Sequence, residues 1–361
     1  MYAIINLGDK MTIAIDKYTK DVVKLNNEYI YLFDNESLEE LLKLNLHCKR
    51  YDKCNYVDIN LTDYNIDCIK KAKVTDEDYD ILPERIDYKF VIIVPNCNND
   101  RGDYKGKTFL KNCIESILNQ TYKNFELIIV DDMSIDNSVQ TIESYRTEEY
   151  IDKIHLIQNA RKRYNGGSRN VGIDYALNNL EFDYFCFLDS DDWWKHDKVL
   201  ETINNRLYGH DMALLGIELI DGNGVFMTKF HQYDNYEDFF MSDNKVWCTA
   251  WARVIKKSKI VYFEESTLME DRVWSYKQAD QIDDLDKVIN IKEPLYVWNR
   301  TNTTNSVSMV RNGIWNASAW CHIGHQLMLL ENLKHKEMKP IIENRIKVCI
   351  EKVNHGTYQQ Y

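Results

Sequence analysis

A chain of 361 residues, 44% hydrophobic and 12% aromatic, buries a continuous core without disulfide or metal staples, which excludes an intrinsically disordered protein. Its formal net charge of -12 argues against the broad basic face of a duplex-binding protein, so nucleic acid is disfavoured as a partner. The nine cysteines form no C-x-x-C pair and no regular spacing, which speaks against a zinc site or a disulfide framework and for free thiols in a reducing cytosol.

The opening Met1-Tyr2-Ala3-Ile4-Ile5-Asn6-Leu7 has no basic n-region followed by a long apolar stretch, and no run reaches about 18 apolar residues. The expectation is a soluble, cytoplasmic protein with no membrane span. Residues 1–86 read as a small α+β accessory unit. Short strands are predicted at Ile4-Ile5, Met11–Ile15 and Tyr29–Phe33. A helix is predicted over Ser37–Leu46, with Glu40 in capping-box spacing from Ser37. The acidic stretch Thr75–Asp80 reads as a linker.

From residue 90 the pattern changes. Phe90–Val94 is an apolar run stopped by Pro95, as expected of a strand buried on both faces. Phe109, Leu110, Cys113, Ile114, Ile117 and Leu118 then form one stripe at helical period. A second buried strand, Phe125–Val130, ends in Asp131-Asp132, and a helix is predicted over Asp136–Tyr145. The strand Ile154–Ile157, a helix from about Gly167 to Leu180 and the strand Tyr184–Leu188 follow. This alternation implies an α/β fold: a mostly parallel, doubly wound sheet flanked by helices. After residue 210 it loosens into predicted strands at 213–220, 225–230, 246–254 and 295–298, with a helix starting at Met269-Glu270-Asp271. The tail over 310–361 reads as a helical extension split near Lys339-Pro340, which leaves 87–309 as the catalytic core.

In doubly wound sheets the ligand sits outside the carboxyl ends of the strands. Pro95-Asn96, Asp131-Asp132 and Asp189-Ser190-Asp191 all fall at such ends. A turn leaving an apolar strand can aim Asp189 and Asp191 at one point, as a hard cation such as Mn²⁺ or Mg²⁺ requires before phosphate and water complete its shell. The competing reading is an acidic turn in which Asp191 or Asp192 caps a helix beginning near Trp193. A carboxylate at Asp131 or Asp132 can accept from a uracil imide or ribose hydroxyls, or it can cap a helix. The basic loop Arg161–Gly172 carries Gly166 and Gly167, and such glycines let backbone N–H groups approach a phosphate at a helix start. Arg169 lies on that first turn. Glu270-Asp271, about eighty residues beyond Asp191, can supply a base for an acceptor hydroxyl or simply match a helix dipole.

In this order and spacing, VIIVP, SILNQTYKNFELIIVDD, NGGSRNVG, FLDSDDWW and MEDRVW resemble the family-2 glycosyltransferases of the GT-A fold, over residues 90 to about 300. The resemblance implies a Rossmann-like GT-A domain and a metal-dependent, inverting hexosyl or hexosaminyl transfer from a nucleotide-sugar, a UDP-sugar in particular. It places Pro95, Asn98 and Asp132 around the nucleotide base with Asp131 in support, and Arg169 on base or phosphate. It makes Asp189 and Asp191 the D-x-D motif with Asp191 the direct metal ligand, Asp271 the general base and Glu270 its neighbour near the acceptor. The implied acceptor is a hydroxyl of a glycan, envelope polymer or glycoprotein. A hydroxymethylated nucleic-acid base and a non-catalytic nucleotide-sugar-binding module are the alternatives.

Two departures stand out. Cys97 occupies a position where the family often has an aromatic residue, and the loop Asn99–Gly106 is longer than usual. Outside the motifs, Trp247, Trp251 and Trp274 are candidates for sugar stacking or core. Tyr296, Arg300 and Ser306 are candidates to close over a diphosphate, and His322 and His325, three apart on a helix, are candidate metal ligands.

Overall fold

The computed structural model describes residues 2–6, 12–16, 22–24, 49–51, 56–60, 86–102, 104–161, 163–220, 226–230, 250–265, 270–284, 287–300 and 314–354. The chain divides into two units, Met1–Ile86 and Asp87–Tyr361. In the first, strands β1 (Tyr2–Asn6), β2 (Thr12–Asp16), β3 (Val22–Lys24), β4 (Lys49–Tyr51) and β5 (Tyr56–Asn60) form a sheet in the order β3-β2-β1-β5-β4. Only the β1–β5 pairing is parallel. The strand expected at Tyr29–Phe33, the helix at Ser37–Leu46 and the linker at Thr75–Asp80 lie outside the described residues.

The second unit is built on β6 (Phe90–Asn96), every residue of which is buried. Parallel neighbours flank it on both sides, β7 (Phe125–Asp131) and β9 (Tyr184–Phe187), and β8 (Ile154–Gln158) extends the sheet beyond β7. An apolar run without alternation suits this position, because neither face of a central parallel strand meets water. Past β9 the sheet becomes mixed. β13 (Arg253–Lys256) runs antiparallel to both β9 and β11 (Met212–Ile220), and β14 (Val288–Asn299) lies parallel to β11. The sheet ends at β8 on one side and at β10 (Trp193–Trp194), antiparallel to β14, on the other, while β12 (Phe226–Phe230) pairs antiparallel with β11 off this path.

Helices cover the sheet where the apolar stripes require it. In α1 (Phe109–Leu118) all six stripe residues are buried, and the Thr108 side chain accepts from the Lys111 N–H to cap it. α2 (Ser138–Tyr145), α3 (Tyr164–Asn179) and α4 (Val199–Arg206) follow. α3 lies close on the sheet: a Cβ on Gly172 would come within 2.7 Å of the Ile93 Cγ2 on β6, so this crossing needs glycine. α5 (Glu270–Ala279), α6 (Ile314–Asn332) and α7 (Lys339–Asn354) complete the unit. Ile323, Leu333, Met338, Ile342, Ile346 and Cys349 join the core cluster that holds Val91, Ile93 and Ile128, so the tail helices pack into the same core as the sheet.

Three local expectations are corrected. Trp193-Trp194 is a strand paired with Val297 and Tyr296, not the start of a helix. α3 begins at Tyr164, so Gly166 and Gly167 lie inside its first turn and not in a preceding loop. The tail helices part at Leu333–Met338, and Pro340 sits inside the first turn of α7, where its missing N–H has no intrahelical role.

Candidate active site

The carboxyl ends of β6, β7 and β9 lie side by side, and their polar residues are stitched together. Asn96 pairs with Asp131 across β6 and β7, and its Nδ2 donates to the Asp131 Oδ1 at 2.8 Å. Asp131 also accepts from the Ser134 N–H at 3.0 Å and from the Ser134 hydroxyl at 2.5 Å. Asn98, held at φ 56, donates its N–H to the Ser134 Oγ at 2.9 Å and accepts from the Ile135 N–H at 2.7 Å. Asparagine tolerates this left-handed backbone better than most residues, which is a local reason for its presence. Asp132 accepts from the N–H groups of Arg163 and Tyr164, both at 2.8 Å, and from the Asn159 Nδ2 at 2.9 Å. It thus caps α3 from thirty residues upstream and sets where that helix begins.

The D-x-D turn is shaped by β14. The Asp192 carboxylate accepts from the Tyr296 hydroxyl at 2.5 Å and from the Asn299 N–H at 2.8 Å, and the Asn299 Nδ2 donates to the Asp191 carbonyl at 2.9 Å. Asp192 therefore does not cap a helix; it ties the turn to the neighbouring strand. Burial, then Asp191 and Asp189, push its carboxyl well above the usual range. Burial and the Asp189 charge push the Asp191 carboxyl up to about 6, against an opposing pull from Arg101. Tyr296 lies under the turn, with Trp251 stacked on it at 4.9 Å, so both belong to the packing behind the site.

Arg169 draws the two halves of the site together. Its guanidinium meets Asp189 Oδ1 at 2.5 Å and Glu270 Oε1 at 2.9 Å, and its Cζ lies 5.3 Å from the centre of the Phe263 ring. Phe263 in turn stacks on the fully buried Trp274 at 4.5 Å. Arg169 is 1% exposed and bridges the two carboxylates. Glu270 packs over Gly166, where a Cβ would come within 2.8 Å of its Cγ. Burial and the adjacent Asp271 raise the Glu270 carboxyl more than Arg169 lowers it, and burial likewise raises Asp271. Asp271 is less enclosed than Glu270.

The structure thus gathers Asp131, Asp132, Asn98, Asp189, Asp191, Arg169 and Glu270-Asp271 at one edge of the sheet. Pro95 sits in register with Val130 on that edge, and Gly167 lies against the Arg163 side chain. Arg161 and Arg163 pair with Glu265, at 3.9 and 3.1 Å. Trp247 and Ser306 lie outside the described residues, and Arg300 rests on the Trp298 ring at 5.1 Å. Sequence reasoning missed Asn99, Asn299 and Glu265, which are tied to the site by distant partners and carry no local signal.

His322 and His325 stand apart from this edge. His322 is wholly buried, and burial, then Arg272 and His325, push it down to about 3. His325 Nε2 lies 3.3 Å from Glu264. Among the described residues no group of three or more His, Cys, Asp or Glu side chains is arranged to hold a metal. A neutral buried histidine has a consequence for stability. Between its unfolded value of about 6.5 and its folded one, the unfolded chain binds the extra proton, so stability falls as pH falls. Between pH 6.5 and 5 the wild type is expected to lose about 2 kcal/mol more than His322→Leu in urea unfolding. Parallel pH profiles would show that His322 is not the group responsible.

A curled, mixed sheet whose strand ends carry the Asp189-Ser190-Asp191 turn, with α5 opening on Glu270-Asp271, has the GT-A fold. Residues 91–265 match the family model for glycosyl transferase family 2, and this segment is a family-2 glycosyltransferase domain. The chain is similar to the amylovoran biosynthesis glycosyltransferase AmsB of Erwinia amylovora, 35% identical over 34% of this chain and 38% of that protein. It is also similar to WfgD of Escherichia coli, a UDP-Glc:alpha-D-GlcNAc-diphosphoundecaprenol beta-1,3-glucosyltransferase, 31% identical over 38% of this chain and 49% of that one. The chain spans less than half the length of these curated relatives. Among solved structures, S. aureus TarS 1–349 shares the fold at TM-score 0.52 and 18% identity, covering 71% of each chain. A second TarS 1–349 structure, in complex with UDP, matches at TM-score 0.51 over 70% of this chain and 69% of that one. Among the described residues no helix is long and apolar enough to cross a membrane.

Proposed function

We propose that this chain is an inverting glycosyltransferase that moves a hexose or hexosamine from a UDP-sugar to a hydroxyl of a glycan, cell-envelope polymer or glycoprotein. The observation that carries this reading is the Asp189–Arg169–Glu270 bridge. It joins the strand end suited to a leaving diphosphate to the helix start suited to an attacking hydroxyl, which supports reading the two as opposite ends of an in-line displacement. The UDP complex of TarS and the UDP-Glc donor in the WfgD name support the choice of nucleotide. The amylovoran biosynthesis of the AmsB name and the GlcNAc-diphosphoundecaprenol acceptor of the WfgD name support a sugar hydroxyl as acceptor.

Asp191 and Asp189 fit a divalent cation, Mn²⁺ or Mg²⁺. Asp189 and Asp191 leave one turn, the third carboxylate (Asp192) is committed to Tyr296 and Asn299, and Asp191 is raised by burial and then by the Asp189 charge beside it. When bound, such a cation would neutralise charge developing on the diphosphate. The chain's own residues do the rest. Pro95, Asn98, Asp131 and Asp132 form the wall for the base, where carboxylates that already hold backbone donors keep further lone pairs for an imide or ribose hydroxyl. The α3 N-terminus, with Gly167, favours phosphate nearby. Asp271 takes the acceptor proton as the hydroxyl attacks the anomeric carbon, while Glu270 and Arg169 hold the two sides in place.

The test is nucleotide release from a panel of nucleoside-diphosphate-sugars in the presence of Mn²⁺. Wild type is expected to release UDP from a UDP-sugar, and Asp191→Ala to lose at least about a hundredfold of that rate. Absence of release from every donor, or an Asp191→Ala variant with undiminished release, would count against the proposal.

A further inference from the structure

The segment Asp189-Ser190-Asp191-Asp192 is a tight turn, closed by the Asp192 N–H donating to the Asp189 carbonyl at 3.0 Å, so Ser190 and Asp191 occupy its two central positions. Ser190 is 2% exposed, whereas Asp189 and Asp191 on either side of it are part-exposed. β14 holds one side of the turn, through the Asp192 carboxylate and the Asp191 carbonyl. The other side is held from α1 and the loop before it. The Asn99 Nδ2 donates to the Ser190 Oγ at 2.6 Å, and the Cys113 thiol on α1 lies 3.7 Å from the Asp189 carbonyl oxygen.

Asn99 is itself fixed in place. Its carbonyl accepts from the Leu110 N–H at 3.0 Å, which ties it to the first turn of α1. The next residue, Asp100, donates its N–H to the Asp136 Oδ2 at 3.0 Å and the Ser138 Oγ at 3.2 Å, and its carboxylate accepts from the Thr108 hydroxyl at 2.8 Å. The Asn99 amide adds little net stability, however. Its Oδ1 is buried with no hydrogen-bond partner among the described residues, and an unsatisfied buried acceptor offsets what one neutral hydrogen bond contributes. Exchanging the two ends of the amide leaves the same balance, one end on Ser190 and the other unpartnered. An apolar side chain would avoid that cost, so what the amide supplies is the tether to Ser190.

We propose that Asn99 is a positioning residue for the cation turn: by fixing Ser190 it holds the backbone that presents Asp189 and Asp191 to a divalent ion. This rests on reading that turn as the cation site. The test is Mn²⁺ binding in the presence of saturating UDP, followed by loss of the free-ion EPR signal, in wild type, Asn99→Ala, Ser190→Ala, the double variant and Asp191→Ala. Uridine affinity is measured on each by calorimetry without metal. Wild type is expected to bind Mn²⁺ and Asp191→Ala to bind it poorly. Asn99→Ala and Ser190→Ala should each weaken Mn²⁺ binding about tenfold, while uridine affinity stays within about twofold of wild type. The double variant should bind Mn²⁺ no more weakly than the poorer single one, because both substitutions cut the same tether. Ser190→Ala, which removes a single oxygen, makes the comparison if Asn99→Ala does not fold. Mn²⁺ affinity within about twofold of wild type in either single variant, with Asp191→Ala weakened, would overturn this assignment alone. Losses that multiply in the double variant would also overturn it, since Asn99 would then act by a route other than Ser190. So would parallel weakening of uridine, which would mean an effect through the fold. A wild type that binds no Mn²⁺ with UDP present would overturn the cation reading and this one with it.

Discussion

Asp271→Asn is expected to lower kcat for sugar transfer by about a thousandfold, the upper half of what a positioned general base supplies. The substitution keeps the size and most of the hydrogen bonding of the side chain but removes its capacity to take a proton. The loss should fall on kcat and kcat/KM together, with the donor KM within about twofold of wild type, because the base acts only in the transition state. Glu270→Gln should behave differently. Glu270 is 6% exposed and bonded to Arg169, so its loss is expected to disturb the bridge more than the proton transfer. Steady-state kinetics on both variants decides the assignment. If Asp271→Asn retains turnover within about tenfold of wild type while Glu270→Gln is inactive, the roles are reversed.

Arg169→Ala is expected to destabilise the fold by about 3–5 kcal/mol, because it leaves carboxylates of a buried pair without their cation. Asp189 and Glu270 keep 20% and 7% side-chain exposure, too little for water to replace the guanidinium at both. Glu270, whose carboxyl burial and Asp271 already raise, can take up a proton and recover part of the cost, so the loss should be smaller in mild acid. Arg169→Lys keeps the charge but not the fork that reaches two partners at once, and should fall between wild type and alanine. Urea unfolding of the three proteins measures the order. A loss below about 1 kcal/mol in Arg169→Ala would mean that the bridge is not a structural element of the site.

How much of this was legible in the sequence depended on how local each cause is. The buried strands β6, β7 and β9 announce themselves as unbroken apolar runs, and the α1 stripe named all six buried residues, because burial on a parallel sheet leaves a one-dimensional mark. The start of α3 was misjudged because its cap is Asp132, thirty residues upstream, and no local motif records it. Trp193-Trp194 read as a helix start because its pairing partner is β14, a hundred residues on. The same distance hid the true partners of Asp192, Tyr296 and Asn299. The antiparallel insertion of β13 between β9 and β11 also has no local signature beyond the loosened alternation after residue 210.

The site shows the same division. Motif spacing identified the carboxylates, since chemistry selects residue types that survive in the sequence as letters. It did not show that Arg169 is enclosed between two of them, because enclosure depends on Phe263 and Trp274, which reach the site through the tertiary fold. An arginine near a helix start reads as a phosphate contact from sequence, and no local signal shows that its guanidinium also pairs with Asp189 and Glu270.

A single in-line displacement inverts the anomeric carbon, and the stereochemistry of the first product reports it directly. Proton NMR of the anomeric signal, recorded as the enzyme with Mn²⁺ turns over an α-linked UDP-sugar with water or a glycan acceptor, should show the β-configured sugar as the first product. A first product of α configuration, or no turnover of any nucleotide-sugar, would contradict the account.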